Sequence, residues 1–476
     1  MAGIHQLGIR DEAARIDHEL TLRALRRGRG RAETVARARL RPDAVRVERA
    51  RQRALRRIRR VATRANGQRD EGETKHGGLV CTRRAGVGDD VARQLIWCGV
   101  TVRWIRTAAE LGALADELAT CRAIGLDLEG DSLHHYAEQV CLIQLAALGG
   151  GSCLIDPLAV RDLSPLAPIM ADPAILKILH GGDNDVTSMR RTFGFTFRTL
   201  FDTSIAARLL GDTELGLQAL VRNELGIELS KGSQKDDWSK RPLTAKQEAY
   251  ALADVAHLFA LTKILTERLA EAGRTEWARE EFEALAALQP AEKQRGPDDF
   301  RRIKGSAKLA RRQQGVLREL YVWREERAAA ADRPPFKIVG AEVLLALAEL
   351  DAPTIEDVEA ALASYPRQAR EADVVFEAIT RGLALQESEL PRREHQTSNP
   401  AMPAAARARS ERLRAWRAGQ ATRSQLDPSI VMSQRVLERL ALSSPRTLVE
   451  LAAVEGLRHW RVTEWGAALL AVCAAA

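Results

Sequence analysis

The sequence predicts an α/β domain with a mixed sheet flanked by helices, followed by two smaller all-helical domains. Between residues 102 and 272, short β-branched apolar runs alternate with segments of helical spacing. Beyond residue 305 the spacing is helical throughout, and the outline of the first helical stretch repeats after a linker rich in Pro and Ser. The chain therefore divides into an Arg-rich extension, 1–95; the α/β domain, 100–288; a linker, 289–305; a helical domain, 306–385; a linker, 386–404; and a second helical domain, 405–476.

Each strand and helix of the α/β domain is predicted from a local pattern. Short apolar, partly β-branched runs predict strands, and apolar recurrence every three to four residues predicts helices. The predicted strands are 102–105, 123–128, 140–148, 152–155 and 175–179. The predicted helices include 108–119 and one long helix at 244–272, which begins with the capping box of Thr244 and Gln247.

The two helical domains are predicted from helical spacing alone. In the first, the predicted helices are 309–331, 340–350, 354–365 and 373–385. The second, 407–472, has a similar length and outline: a basic amphipathic helix with a tryptophan, a connection marked by Pro428, and then short helices.

The positive charge of the chain is concentrated at its N-terminus. The net charge is +8, yet residues 1–100 carry 24 basic and 12 acidic side chains, and the remainder carries 48 and 52. Arginines lie on every face of any helix drawn through residues 1–95, so no apolar face is available to form a core. We therefore predict that this extension is disordered. It is either a basic arm that binds phosphates, a solvated disordered tail, or a segment that precedes the true start of the natural protein.

Composition excludes several classes of protein. A chain with 45% apolar and 29% charged residues is neither wholly disordered nor fibrous. No run approaches the roughly 18 apolar residues of a spanning helix, and the N-terminus lacks a secretory signal. The six cysteines are scattered without a C-x-x-C pair, which favours reduced thiols over disulfides or zinc. We therefore expect a soluble cytoplasmic protein with no membrane contact.

The first chemical signal is a pair of carboxylates, Asp127 and Glu129, on the predicted strand 123–128 and its end. Residues two apart on a strand project from one face, so the two charges lie side by side. A divalent cation would relieve their repulsion, and oxygen ligands favour Mg²⁺ or Mn²⁺ over zinc. Alone, the pair is a weak signal, because solvated charge on an edge strand has the same pattern.

Two further acidic segments follow. Asp183 and Asp185 come after the predicted strand 175–179 and a Gly-Gly turn, at the carboxyl edge of the sheet, where open α/β folds bind ligands. Asp183 has a purely structural interpretation as a helix N-cap. Tyr250 and Asp254 are four residues apart on one face of the predicted helix 244–272. Taken alone, this pair is more simply interpreted as polar residues at the edge of an amphipathic helix.

Taken together, the three segments resemble the tyrosine-bearing branch of the DEDD exonuclease superfamily, and most closely the ribonuclease D family. The resemblance covers residues 102–275 and implies a ribonuclease H-like fold. No catalytic position departs from the pattern. Other stretches that carry the resemblance are Val140-Cys141-Leu142-Ile143-Gln144-Leu145, Leu154-Ile155-Asp156-Pro157, Phe201-Asp202-Thr203 and Asp237-Trp238-Ser239-Lys240-Arg241-Pro242-Leu243.

The resemblance implies a catalytic role for five residues and a site for two divalent ions, Mg²⁺ or Mn²⁺. Asp127 is expected to bridge the ions, Glu129 and Asp254 to hold the ion that carries the nucleophile, and Asp185 to hold the second ion, partly through water. Tyr250 is expected to orient the attacking water. The implied reaction is hydrolysis of the 3′-terminal phosphodiester, which releases 5′-mononucleotides.

The implied substrate is RNA with a single-stranded 3′ end, transfer RNA precursors above all, and no obligate protein partner is implied. Candidate contacts to the RNA, each with an alternative structural role, are His134, Tyr136, Gln144 and Trp238. The helical domains resemble helicase-and-ribonuclease-D C-terminal (HRDC) domains. Trp323 and Trp416, with basic neighbours, are either stacking platforms for bases or core residues of small bundles.

Two other functions remain open at this point. A DNA-directed exonuclease would use the same metal site, because the discrimination lies in contacts to the 2′-hydroxyl that the sequence does not reveal. A catalytically inactive RNA-binding scaffold would need a missing metal ligand, and all four carboxylates are present.

Overall fold

A six-stranded mixed sheet forms the centre of the α/β domain in the computed structural model, which describes residues 102–230, 232–291, 296–392 and 402–475. The predictions for the extension 1–95 lie outside the described residues, as do parts of both predicted linkers. The strand order is β1-β4-β3-β2-β5-β6. The strands are β1 (Arg103–Ile105), β2 (Ala123–Gly130), β3 (Val140–Ala147), β4 (Ser152–Ile155), β5 (Leu176–Leu179) and β6 (Leu200–Asp202).

The central strand β2 sets the geometry of the domain. It pairs antiparallel with β3 and parallel with β5, and its Asp127 lies opposite Gln144 of β3. The predicted mixed sheet is therefore confirmed. Of these six strands, only β6 was not predicted from the sequence, because its three residues, Leu-Phe-Asp, include no β-branched side chain.

Helices cover both faces of the sheet. They are α1 (Ala108–Leu118), α2 (Ala167–Ala171), α3 (Asp183–Phe193), α4 (Thr203–Leu210), α5 (Leu217–Leu225), α6 (Ala245–Ala256), α7 (Leu258–Glu271) and α8 (Thr275–Ala286). On one face, α1 buries Leu111, Leu114 and Leu118 in a core shared with β2 and β3. On the other face, α6 lies across β2, β3 and β4.

The long helix predicted at 244–272 is wrong in one respect, because the structure divides it at His257. α6 begins with the predicted Thr244 and Gln247 capping box and ends at Ala256, and α7 continues from Leu258. The two halves have different partners: α6 covers β2, β3 and β4, whereas α7 packs mainly on α4 and α5. The break allows each half to follow its own partners.

The segment Ala245–Glu271 is long and apolar enough to cross a membrane by length and composition alone. Its apolar residues have partners inside the domain, however. Val255, Leu258 and Leu261 are fully buried, and the side chain of Leu258 lies so close to the sheet that a Cβ at Gly125 would be 3.2 Å from it. These contacts identify the segment as a pair of core helices.

The first helical domain has its own hydrophobic core. Its α-helices are α9 (Arg311–Ala330), α10 (Pro335–Ile338), α11 (Ala341–Ala348), α12 (Ile355–Ala361), α13 (Pro366–Ala369) and α14 (Ala372–Ala384), preceded by 3₁₀ turns Pro297–Arg302 and Ser306–Lys308. Trp323 is 3% exposed within this core. The core interpretation of Trp323 is therefore correct, and its ring does not face solvent.

The second helical domain shares a continuous core with the α/β domain. Its helices are α15 (Ala404–Ser424), α16 (Pro428–Val431), α17 (Gln434–Ser443), α18 (Leu448–Ala452) and α19 (His459–Ala474). Trp460 of α19 stacks on Trp277 of α8, with ring centroids 4.2 Å apart. Trp416 is partly buried and packs edge-on against Trp465, so it too has a packing role.

Candidate active site

The carboxylate pair on β2 meets the third acidic segment on α6. Asp127 and Glu129 project from the face of β2 that α6 covers. Asp254 on α6 completes a group in which one carboxylate oxygen from each residue lies within 4.8 Å of the others. We call Asp127, Glu129 and Asp254 the carboxylate cluster. The resemblance to the DEDD superfamily implied this convergence, which the spacing of the residues alone did not.

Asp185 approaches the cluster from a third element. The α3 helix begins at Asp183 after the turn that follows β5, and Asp185 lies in its first turn. Asp185 is outside the 4.8 Å group, yet its charge is among the causes that raise the pKa of Asp127. The N-cap of α3 is Gly182, not Asp183 as the structural interpretation had it, and the side chain of Asp183 is exposed.

Burial and mutual repulsion raise the pKa values of these carboxyl groups. Burial, followed by the charges of the other three carboxylates, raises the pKa of Asp127 well above its usual range. Burial and neighbouring acidic groups likewise raise the pKa of Glu129 to about 9 and that of Asp185 to about 7. Burial raises the pKa of Asp254 to about 7. The charged neighbours that contribute to these shifts are all acidic.

This donor set fits hard divalent cations. Like charges concentrated in a half-buried site are unfavourable unless protons or cations compensate them. All the donors are carboxylate oxygens, which suit Mg²⁺ or Mn²⁺ better than zinc. A bound cation would therefore replace protons that the metal-free cluster retains near neutral pH.

Tyr250 lies one turn before Asp254 on α6, beside the cluster. Burial, together with the nearby charges of Asp254, Glu129 and Asp127, raises the pKa of its phenol further above the usual value. The hydroxyl is therefore protonated at any physiological pH and is a hydrogen-bond donor rather than a base. Its interaction with Asp254 opposes the rise in that carboxyl's pKa.

Asp202 is a buried carboxylate that was not selected as a site residue from the sequence. Its side chain accepts hydrogen bonds from the backbone N–H groups of Gly182 at 2.7 Å and Ile205 at 2.8 Å. It thereby ties the turn before α3 to the start of α4, and its charge contributes to the raised pKa of Asp185. The only sequence signal is its position at the end of a short apolar run in Phe201-Asp202-Thr203.

Two of the four predicted RNA contacts lie in the loop between β2 and β3, residues 131–139, which we call the 131–139 loop. The ring of His134 is half-buried, and its Nε2 lies 3.0 Å from the carbonyl oxygen of Lys235. The Tyr136 hydroxyl donates to Glu325 of the first helical domain at 3.2 Å. Both lie in the loop that follows β2, and their contact with RNA stays a prediction.

The other two predicted contacts, Gln144 and Trp238, are completely buried. The ring of Trp238 lies 6.1 Å from that of Tyr250, so it supports the tyrosine from within the domain. Gln144 lies opposite Asp127 across the strand pair, and both atoms of its amide have no hydrogen-bond partner among the described residues. Their positions favour support of the site over direct contact with a strand.

The 131–139 loop is also held by a residue that the sequence did not single out, His135. Its Nδ1 lies 2.7 Å from Asp332, in the turn after α9 of the first helical domain. Its Nε2 lies 2.9 Å from the hydroxyl of Ser239. The Tyr136 N–H donates to the second oxygen of Asp332 at 3.1 Å. The first helical domain therefore contacts the loop that follows Asp127 and Glu129 of β2.

Family models match both parts of the chain. A 3′-5′ exonuclease family matches residues 102–270, and the HRDC domain family matches residues 313–371 and 406–473. Ribonuclease D of Pseudomonas paraeruginosa is 33% identical over 372 residues, which cover 78% of this chain and 96% of the relative. Ribonuclease D of Gluconacetobacter diazotrophicus is 30% identical over 373 residues, which cover 77% and 92%.

Solved structures share the architecture. The structure of Escherichia coli RNase D, an exoribonuclease involved in structured RNA processing, has a TM-score of 0.60 and 27% identity, with 78% of this chain and 98% of that chain covered. A protein from Bifidobacterium adolescentis has a TM-score of 0.66 at 23% identity, with 78% and 97% covered, which supports the fold. The sequence of domains and the fold of each therefore have known counterparts.

Proposed function

The chain belongs to the ribonuclease D family, and from this premise we propose which residues carry out its reaction and on which RNAs it acts. It is a 3′-5′ exoribonuclease with two HRDC domains. The carboxylate cluster supports the assignment of the reaction to this site, because two elements far apart in sequence, β2 and α6, bring three acidic side chains within 4.8 Å of one another. The charged neighbours that raise the pKa values of Asp127 and Glu129 are all acidic. The family chemistry implies divalent metal ions.

We propose that two Mg²⁺ or Mn²⁺ ions bind here. Asp127 would contact both ions, Glu129 and Asp254 would hold the first, and Asp185 would hold the second, partly through water. When bound, the ions would lower the pKa of the attacking water and stabilise the negative charge on the leaving 3′ oxygen.

The remaining steps belong to the side chains of the chain itself. Tyr250 keeps its proton, so it would orient the attacking water through a hydrogen bond rather than remove a proton from it. Asp202 would keep the turn before α3 in place, and with it Asp185. The products would be 5′-mononucleotides, released one at a time from the 3′ end.

The proposed substrates are RNAs with a single-stranded 3′ end, with transfer RNA precursors foremost, and the proposed location is the cytoplasm. His134 and Tyr136 are proposed to contact the terminal nucleotides from the 131–139 loop. Because the side chain of Tyr136 already contacts the first HRDC domain, RNA that binds this loop would lie beside that domain as well.

One experiment distinguishes the proposal from a DNA-directed exonuclease and from an inactive scaffold. The purified full chain is incubated with a 3′-extended structured RNA and with single-stranded DNA of the same 3′ sequence, with Mg²⁺ and with a chelator. We expect the RNA to be shortened from its 3′ end to mononucleotides only with Mg²⁺, and the DNA to be degraded more slowly. Preferential degradation of DNA would support the first alternative, and RNA binding without cleavage the second.

A further inference from the structure

The side chain of Phe336 is unusual among the aromatic residues of this protein. It is 54% exposed, and no other phenylalanine, tyrosine or tryptophan among the described residues is as open to solvent. The tryptophan and tyrosine of the same domain, Trp323 and Tyr321, are buried in its core. Phe336 is therefore the ring that the first HRDC domain presents to solvent.

The position of Phe336 in the chain keeps it close to the residue that contacts the 131–139 loop. It belongs to α10, which begins three residues after Asp332. Asp332 contacts the 131–139 loop through His135 at 2.7 Å and through the backbone N–H of Tyr136 at 3.1 Å. Four residues span at most about 15 Å between Cα atoms. Phe336 is thus a short distance from the loop that follows the cluster ligands of β2.

Two basic side chains accompany the ring. Arg333 precedes α10 and Lys337 lies within it. Of the residues that the structure describes, none forms a side-chain hydrogen bond or ion pair with either cation, whereas many other arginines of the helical domains do, such as Arg311 with Glu387. Unpaired cations beside an exposed ring are the features that bind a single strand, because the cations attract phosphates and the ring stacks on bases.

We propose that Phe336, Arg333 and Lys337 form a stacking platform for the single-stranded RNA a few nucleotides upstream of its 3′ end. This platform rests on the proposed function, since it needs an RNA whose 3′ end occupies the carboxylate cluster. The ring stacks on one base without regard to its identity, and the two cations neutralise neighbouring phosphates. The first HRDC domain then holds the strand while its end is hydrolysed.

Binding measurements with the full chain test the platform. A fluorescent single-stranded RNA of 12 nucleotides and a dinucleotide, both made with hydrolysis-resistant phosphorothioate linkages, are titrated with Mg²⁺ present. We expect Phe336→Ala to weaken binding of the long RNA about tenfold, as removal of one base-stacking ring typically does. The dinucleotide, which is too short to reach the platform, is bound equally by both proteins. Phe336→Trp, which restores a larger ring, retains wild-type affinity for the long RNA.

A matched control and a salt series complete the test. Val449→Ala removes an apolar side chain that is 80% exposed on the second HRDC domain, and we expect no change in binding. Arg333→Gln and Lys337→Gln each reduce the slope of log affinity against log salt by about 0.7.

Two results would overturn the platform: wild-type affinity of Phe336→Ala for the long RNA, or an equal loss on the dinucleotide. Failure of the proposed function gives a different result. In that case both the wild type and the Phe336 variants would leave RNA intact with Mg²⁺.

Discussion

The imidazole of His135 lies 2.7 Å from the carboxylate of Asp332, and this contact joins the active-site loop of the exonuclease domain to the first HRDC domain. The same carboxylate accepts a hydrogen bond from the Tyr136 N–H. On its other side, the His135 ring contacts Ser239, and Asp237 lies 3.9 Å away. An accessory domain thus contributes directly to the conformation of the 131–139 loop.

Asp332→Asn is expected to raise KM several-fold with little change in kcat, since it loosens the loop and leaves the carboxylate cluster intact. Asp332 raises the pKa of His135 above its usual value, with a smaller contribution from Asp131 and Asp237. Below this raised pKa the imidazole is charged and paired, and the pairing is lost as pH rises through it. The KM difference between wild type and variant should therefore be largest at acidic pH and shrink toward alkaline pH.

Steady-state kinetics on a 3′-tailed RNA, from acidic to alkaline pH across the raised pKa of His135, measures the KM of both proteins. Asp351→Asn, which removes an exposed charge elsewhere in the same domain, is the matched control and should leave KM unchanged. A KM ratio that is independent of pH, or that grows with pH, would contradict the role of the His135 to Asp332 contact.

The metal-free protein should become more stable when Glu129 is replaced by Gln, provided the pH is alkaline. The folded-state pKa of Glu129 is about 9, far above its value of roughly 4.3 in an unfolded chain. Between these pH values the folded protein binds more protons than the unfolded protein, so stability falls as pH rises. The side chain of Gln does not titrate, so the variant does not lose stability in this way as the pH rises.

Thermal unfolding with chelator at pH 5 and pH 8 measures this effect. We expect the melting temperature of Glu129→Gln to exceed that of wild type by more at pH 8 than at pH 5, and saturating Mg²⁺ to stabilise wild type alone. Asp183→Asn, an exposed acid beside the site, should melt like wild type under both conditions. A variant that melts below wild type at pH 8 would show that the charges of the cluster are not unfavourable in the empty site.

Tyr250→Phe should lower kcat by about 10 to 100-fold, the usual loss for a group that acts beside a metal ligand. The phenol is expected to orient the attacking water and to support Asp254, and neither role is needed for metal binding itself. The Mg²⁺ concentration for half-maximal activity should therefore stay near the wild-type value, whereas Asp254→Asn should shift it strongly. Equal losses in both variants, with the same shift in Mg²⁺ dependence, would assign Tyr250 to the metal site.

Trp460→Ala should destabilise the exonuclease domain together with the second HRDC domain. Trp460 stacks on Trp277 and donates through its indole N–H to Glu281 at 3.1 Å, so its loss leaves a cavity inside a shared core. Large-to-small changes of this kind cost about 3 to 5 kcal/mol. Calorimetry should show one transition at lower temperature, and Val449→Ala should leave it within the range of surface substitutions. A nuclease domain that melts at the wild-type temperature would contradict the shared core.

The pairing of the acidic residues within each element was predictable because the pattern is local. Asp127 and Glu129 on one strand face, and Tyr250 and Asp254 on one helix face, follow from periodicities of two and four residues. Their convergence on one site was not derivable from these patterns and was implied only by the resemblance to the DEDD superfamily.

Contacts between distant segments were not predictable in this way. The break at His257 reflects different packing partners for α6 and α7, and the burial of Trp323 and Trp238 depends on neighbours far away in the sequence. The role of His135 is set by Asp332, which lies 197 residues further along the chain. Local pattern carries no information about such pairs.

The most direct test of the central claim is a comparison of Asp127→Asn with Asp183→Asn on a 3′-extended RNA with Mg²⁺. Both substitutions remove one negative charge near the site, but only Asp127 belongs to the carboxylate cluster. We expect Asp127→Asn to lose at least about 10²- to 10³-fold in rate with its fold intact, and Asp183→Asn to retain wild-type activity. Undiminished trimming by purified Asp127→Asn would contradict the assignment of this cluster as the catalytic centre.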